Sequence, residues 1–291
     1  MRILVLIVAF TINLYAGEFK KFDNLVHIIK IKSSKSSSLH SNGSGFVVAK
    51  DGKILTNYHV ISGVFEDGKV NKKYNIFVKV GKVEYQAKIL KFDILNDLAL
   101  LKINYKFKET VVIAKNNIQK GEKIYSLGFH SKEYLSINQG IFSDYIKDNI
   151  NKLMALSIPI NPGMSGGPIL NHKLQVIGVN VLKSTTKESA AYGINKNKLF
   201  FFLNNSAQGK TLEESLNSQL KKTYSRIMAS VQEKKKNEKL NSWNTPDMEH
   251  FLSCGEYNSD KNFNRDKDDK DQDKITAKYK VCKMDYRKVP L

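Results

Sequence analysis

Ile158-Pro159-Ile160-Asn161-Pro162-Gly163-Met164-Ser165-Gly166-Gly167-Pro168-Ile169-Leu170 sets one serine among three glycines and three prolines, with apolar residues at both ends. Glycine admits positive φ and close backbone approach. Proline fixes φ and removes an N–H donor. Such a stretch reads as a rigid turn that presents one hydroxyl. A serine hydroxyl is a poor nucleophile until a base takes its proton. The reading of the whole chain therefore depends on whether a base and an acid lie elsewhere.

A base stands upstream in Leu55-Thr56-Asn57-Tyr58-His59-Val60-Ile61, where His59 follows a strand end. An acid precedes Leu98-Ala99-Leu100-Leu101-Lys102-Ile103, an apolar run of strand type. Asp97, at the head of that run, can sit at the core edge with its carboxylate shielded from water. There it can accept Nδ1–H of the histidine and fix its tautomer. Asp93, four residues earlier, competes for this role; the strand context favours Asp97. His27, His40, His130, His172 and His250 lack such context and read as structural or surface residues, and no two histidines have metal-ligand spacing.

Short β-like segments surround these residues. A first series covers 26–31, 45–48, 53–56 (after the turn signal Asp51-Gly52), 75–80, 85–92 and 98–103. A second covers 123–127, 133–142, 152–158, 168–170, 175–182 and 190–194. About six strands suffice to close one small barrel. The expectation is an all-β core of two six-stranded antiparallel barrels, joined through 102–120. Residues 33–42 are Ser-rich and read as an exposed loop. A helix is expected over 195–203. Composition shifts near residue 205, where a C-terminal extension begins. Thr211 and Glu214 form a capping box, and Leu212, Leu216, Leu220, Ile227 and Val231 keep roughly helical spacing, so a long helix is expected over 211–239. Residues 241–291 read as polar and low in β pattern. Asp266, Asp268, Asp269, Asp271 and Asp273 resemble a calcium loop but lack its central glycine and closing glutamate.

The order His59, Asp97, Ser165 resembles the trypsin-like, chymotrypsin-fold serine proteases. Thr56-Asn57-Tyr58-His59-Val60-Ile61, Asp97-Leu98-Ala99-Leu100-Leu101 and Ser165-Gly166-Gly167-Pro168 are similar to the bacterial HtrA/Deg-type branch, as are Gly43-Ser44-Gly45-Phe46-Val47-Val48 and Gly178-Val179-Asn180. The resemblance covers roughly 24–204. It implies a serine endopeptidase acting on polypeptide substrates, in extracytoplasmic protein quality control, without a cofactor. Ser165 would be the nucleophile, His59 the general base and Asp97 its orienting acid. The N–H groups of Gly163 and Ser165 would form the oxyanion hole. Pro159, Ile160, Val179, Asn180, Val181 and Tyr192 would line the S1 pocket. Pro159 stands six residues before the serine, where an Asp would select Arg or Lys, so an apolar, small or medium P1 side chain is expected. The family places Asp or Asn where this chain has Met164, which excludes activation through an ion pair at that position. A catalytically impaired binding or scaffold protein on the same fold is the alternative, motivated by Met164 and the C-terminal extension. Residues 205–291 have no Gly-rich carboxylate-binding loop and do not read as a PDZ domain.

Residues 1–16 combine a positive start with a short apolar run ending at Ala16, the pattern of a secretory signal peptide cleaved after that residue. The run is shorter than the ~20 residues a membrane span needs, and no later stretch is long and apolar enough. The expected domains are thus the signal at 1–16, the protease at 17–204 and the extension at 205–291, in an exported protein, periplasmic or secreted. Cys254 and Cys282 are its only cysteines and are expected to pair as a disulfide. Two cysteines do not complete a metal site, and no metal is expected. The net charge is +19, and residues 205–291 hold 18 Lys and Arg against 14 Asp and Glu, so most of the surplus lies before them. It reads as a solvated basic surface; no aromatics interleave with it as nucleic-acid binding would require. Homo-oligomerisation is left open.

Overall fold

The computed structural model of the chain describes residues 17–36, 38–66, 69–130, 134–147, 152–181, 191–205, 209–237, 252–258 and 278–284. The expected signal peptide, His250 and the aspartate-rich segment 266–273 lie outside the described residues.

A 3-10 turn, Glu18–Asn24, leads into the first barrel. Its strands are β1 (Val26–Ser33), β2 (Leu39–Ala49), β3 (Lys53–Thr56), β4 (Tyr74–Val80), β5 (Val83–Asp93) and β6 (Leu98–Lys102). They close in the order β1-β2-β3-β6-β5-β4, all neighbours antiparallel. The second barrel holds β7 (Lys123–Gly128), β8 (Ser136–Lys147), β9 (Lys152–Ser157), β10 (Pro168–Asn171), β11 (Val176–Val181) and β12 (Ala191–Asn195). It closes in the order β7-β8-β9-β12-β11-β10, the same topology as the first. Closure leaves neither sheet with a free edge, which removes the sites where strands of other chains add. The two-barrel expectation therefore holds.

Burial follows the pattern of each strand. β6 is buried at Leu98, Ala99, Leu100 and Leu101, so both its faces are covered. β5 alternates along much of its length, with Phe92 turned inward. The Ser-rich stretch departs from expectation: residues 39–42 are part of β2 and pair with β1.

Three helices among the described residues follow from local signals. A single turn, α1 (Tyr58–Ile61), carries His59. In α2 (Lys196–Asn204), Asn195 caps the N-terminus by accepting the N–H groups of Asn197 and Lys198 at 3.0 and 3.3 Å. The capping box of α3 (Leu212–Asn237) forms as expected: Glu214 N–H donates to Thr211 Oγ1 at 3.1 Å, and Thr211 N–H to Glu214 Oε2 at 3.4 Å. Leu216 of α3 joins the main hydrophobic core.

Residues 252–258 and 278–284 form an antiparallel pair, β13 (Leu252–Asn258) and β14 (Lys278–Met284), contrary to the expectation of low β content. Their register sets the backbone of Cys254 opposite that of Cys282. The cysteine side chains lie outside the described residues. No described helix is long and apolar enough to cross a membrane.

Candidate active site

The site lies in the seam between the barrels. β3 ends at Thr56, and the next turn of helix carries His59. The loop between β5 and β6 brings Asp97 to it. Asp97 accepts the backbone N–H of His59 on Oδ1 at 2.7 Å, and its Oδ2 stands 2.7 Å from His59 Nδ1. The carboxylate is 2% exposed, so the pairing is made away from water. Asp97 holds a φ of 48°, a region few non-glycine residues occupy. Asn57 Nδ2 secures it by donating to the Asp97 carbonyl at 2.9 Å. Asp93, the competing acid, is occupied elsewhere: Asn96 donates to it from its backbone at 3.0 Å and from its side chain at 2.7 Å.

Burial opposes charge on both members of the pair. It draws the His59 imidazole down, but the Asp97 carboxylate more than compensates, and His59 titrates above the ordinary histidine value. Burial keeps the upper hand at Asp97, whose carboxyl titrates above its ordinary value despite the pull of His59.

The serine turn is built by two glycines at positive φ, Gly163 at 94° and Gly166 at 85°. A Cβ on Gly166 would stand 2.1 Å from Ser44 O and 2.4 Å from Thr56 Oγ1, so no other residue fits between the turn and the first barrel. Ser44 clamps the turn from β2. Its N–H donates to Ser165 O at 2.8 Å, its hydroxyl donates to Gly163 O at 2.7 Å, and the same oxygen accepts Phe129 N–H at 2.8 Å. Thr56 Oγ1 holds Ser44 in turn, donating to its carbonyl at 2.6 Å.

Within the turn, Met164 N–H donates to Asn161 O at 3.0 Å, and Gly166 N–H to Asn180 O at 3.1 Å. The N–H groups of Gly163 and Ser165 have no acceptor among the described residues. Free backbone donors beside a serine can stabilise a developing oxyanion. Ser165 Oγ is buried and likewise has no hydrogen-bond partner among the described residues. Such contacts are often long before substrate binds. Met164 is fully buried in an apolar cluster with Ile158, Ile160 and Ile169; its sulfur lies 3.5 Å from Asn138 Nδ2. The side chain thus acts as core filling beneath the turn.

The residues expected to line the S1 pocket divide. Pro159 is exposed and Tyr192 half-buried. Ile160, Val179 and Val181 pack into the hydrophobic cores. Asn180 is fully buried and its carboxamide is engaged. It accepts from Ser126 Oγ at 2.8 Å and donates to Leu127 O at 2.9 Å and to Met164 O at 3.4 Å. Its backbone N–H also reaches Gly167 O at 2.8 Å. The structure makes Asn180 a brace of the serine turn, and its side chain faces the interior rather than an open pocket. Ser44 and Asn57 were missed as supporting residues. The Gly43-Ser44-Gly45 motif was a usable signal, since glycines on both sides of a serine mark close backbone approach. Among the described residues no group of three His, Cys, Asp or Glu side chains could hold a metal ion.

Comparison with known proteins bears on the fold. Residues 43–179 match the trypsin-like peptidase domain. A probable periplasmic serine endoprotease, DegP-like, of Pseudomonas savastanoi pv. phaseolicola is 34% identical over 155 residues, covering 51% of this chain and 30% of the relative. Its counterpart in Hahella chejuensis is 34% identical over 146 residues, covering 48% and 29%. The chain thus spans less than a third of the length of these curated relatives. Among solved structures, that of Deg5 superposes with a TM-score of 0.54 at 25% identity, covering 63% of this chain and 89% of Deg5. With its two closed six-stranded barrels and a Ser165 turn clamped against the first by Ser44, the chain has a chymotrypsin-like fold, and its residues 43–179 are similar to the trypsin-like peptidase domain.

Proposed function

We propose that the chain is a serine endopeptidase that cleaves polypeptides through an acyl-enzyme. Ser165 Oγ attacks the scissile carbonyl and passes its proton to His59 Nε2. His59 then protonates the leaving amine. Asp97 keeps Nδ1–H directed away from the serine and stabilises the imidazolium that forms. The N–H groups of Gly163 and Ser165 receive the oxyanion; loss of one such donor costs about 3–4 kcal/mol of transition-state stabilisation. The observation that carries this reading is the two-point contact of Asp97 with His59, together with a serine turn whose Gly163 and Ser165 N–H groups have no acceptor among the described residues.

An apolar P1 residue suits Pro159 and Tyr192, the two expected pocket residues that stay accessible, since neither supplies a charge. An extracytoplasmic setting rests on the sequence of residues 1–16 and on relatives named as periplasmic. In that oxidising setting Cys254 and Cys282 would pair across β13 and β14, which a thiol assay on the denatured, unreduced protein checks: two free thiols would dismiss the bond.

One observation favours a second reading, a protease-fold binding protein: Ser165 Oγ has no hydrogen-bond partner among the described residues. A fluorophosphonate probe separates the two. The protease labels as wild type and fails to label as Ser165→Ala. A wild type that stays unlabelled across neutral and alkaline pH leaves the binding reading.

A further inference from the structure

The C-terminal helix α3 lies outside both barrels, yet it reaches the loop that delivers Asp97. Gln219 makes the contact. Its Oε1 accepts the backbone N–H of Ile94 at 2.8 Å, and its Nε2 donates to the backbone carbonyl of Phe92 at 2.8 Å. The second proton of the carboxamide serves Ser215 Oγ, one helical turn back, at 3.2 Å. Gln219 is 6% exposed, and its neighbours on the same helical face, Ser215, Leu216 and Thr223, are buried too. A buried amide with its oxygen and both protons engaged has one orientation available to it, and leaving any of these groups unpaired is costly.

The segment it holds is the tether of the catalytic acid. From Ile94 the chain turns tightly: Asp97 N–H returns to Ile94 O at 3.3 Å, and Asn96 folds onto Asp93. Ile94 itself is locked in the core at 1% exposure. The turn ends with Asp97 at a φ of 48°. A residue in that conformation persists only where its surroundings over-determine it. Asn57 fixes the far end of the turn from within the first barrel, through the Asp97 carbonyl. Gln219 fixes the near end from the helix. Glu213, at the start of the same helix, accepts the N–H of Val70 at 3.3 Å and so ties the helix to the two-stranded hairpin of residues 65–66 and 69–70.

We propose that Gln219 is a positioning residue for Asp97, and that α3 is thereby a working part of the catalytic unit. The proposal rests on the protease reading for its effect on rate. It predicts that displacing α3 loosens the Asp97–His59 contact without touching either residue. The acid loop sits against the barrel core at Ile94, so the barrels can stay folded while the alignment is lost.

The test is Gln219→Met, which keeps an unbranched chain of similar length and removes both hydrogen bonds to the loop. Gln219→Glu is the second variant; its carboxylate keeps the shape and faces the Phe92 carbonyl. Both are made in the full chain. Two signals are read: the downfield proton resonance of His59 Nδ1–H, and the rate of fluorophosphonate labelling at Ser165. The expected result is loss or broadening of the resonance in both variants and labelling slowed about tenfold or more, with peptide turnover lost in kcat rather than KM. Melting temperature is followed alongside. A lower melting temperature with an unchanged resonance and labelling rate overturns the proposal and makes Gln219 only a packing residue. Should one variant fail to fold, the other decides. If the wild type is never labelled, the protease reading fails, and the resonance still decides whether Gln219 positions Asp97.

Discussion

Asp97 binds His59 at two points, taking its backbone N–H on one carboxylate oxygen and standing 2.7 Å from Nδ1 with the other. The first contact fixes where the carboxylate sits. The second fixes the imidazole tautomer, with Nε2 left as the free base. Asp97→Asn preserves the shape but lets the amide present N–H to the ring, which selects the wrong tautomer. Turnover should fall by about 10³–10⁴-fold with little change in melting temperature. A fall below tenfold in peptide cleavage would remove Asp97 from the mechanism.

The same contact sets the pH profile. His59 titrates above the ordinary histidine value of 6.5 because the Asp97 carboxylate outweighs its burial. Only neutral His59 can accept the serine proton. The acid limb of kcat/KM should therefore lie above pH 6.5, with activity rising as pH increases through it. The stability of the pair runs the other way. A raised folded value means the contribution is complete below the unfolded value and is lost as pH rises through the folded one. A pH–rate series on a fluorogenic peptide would refute the assignment by placing that limb below pH 6.

Much of this site was legible in the sequence, and the reasons are local. His59 and Asp97 each stand at the end of an apolar run, where a polar side chain is held at a core edge. The Ser165 turn advertises itself by its glycines, because Gly163 and Gly166 adopt φ values that side chains resist. What was hidden depends on contacts between distant segments. Ser44 meets Gly163 across 119 residues, and nothing near Ser44 says which carbonyl it will find. Asn180 lies in a strand of apolar neighbours and looked like a pocket wall, but the chain turns its amide inward to the serine turn. Pairing of β13 with β14 was missed for the same reason. Their alternation is short and polar, and only the partner strand reveals it.

Ser44 links the serine turn to the segment that follows β7. Its hydroxyl donates to Gly163 O and accepts from Phe129 N–H. Ser44→Ala leaves both groups unpaired in a partly buried place, at a cost of about 1–3 kcal/mol for each. The turn should relax, and small misplacements of reacting groups cost about 10²-fold in rate. The expected outcome is a lower melting temperature together with fluorophosphonate labelling slowed by that order. Labelling at the wild-type rate would show that the turn holds its shape without this clamp.

Acid stability should be governed in part by a residue far from the catalysis. His27 in β1 is 3% exposed, stacks on Phe107 at 5.2 Å between ring centres, and has no partner for Nε2 among the described residues. Burial pulls its pKa down from 6.5 to about 4, against the backbone hydrogen bonds at Asn24 and Lys79 that favour the proton. The sign follows directly. Above pH 6.5 the ring is neutral in both states and pH has no effect through it. Between 6.5 and about 4 the unfolded chain takes up a proton that the folded chain refuses, so stability falls as pH falls. At about 1.4 kcal/mol per pH unit the loss reaches about 3 kcal/mol. His27→Asn keeps a polar group near Nδ1 and cannot titrate. It should start less stable at pH 7, because the Phe107 stack is lost, yet decline less steeply on acidification. Urea unfolding of both proteins at pH 7, 6, 5 and 4.5 measures the two slopes, and equal slopes would mean that His27 does not carry the acid sensitivity.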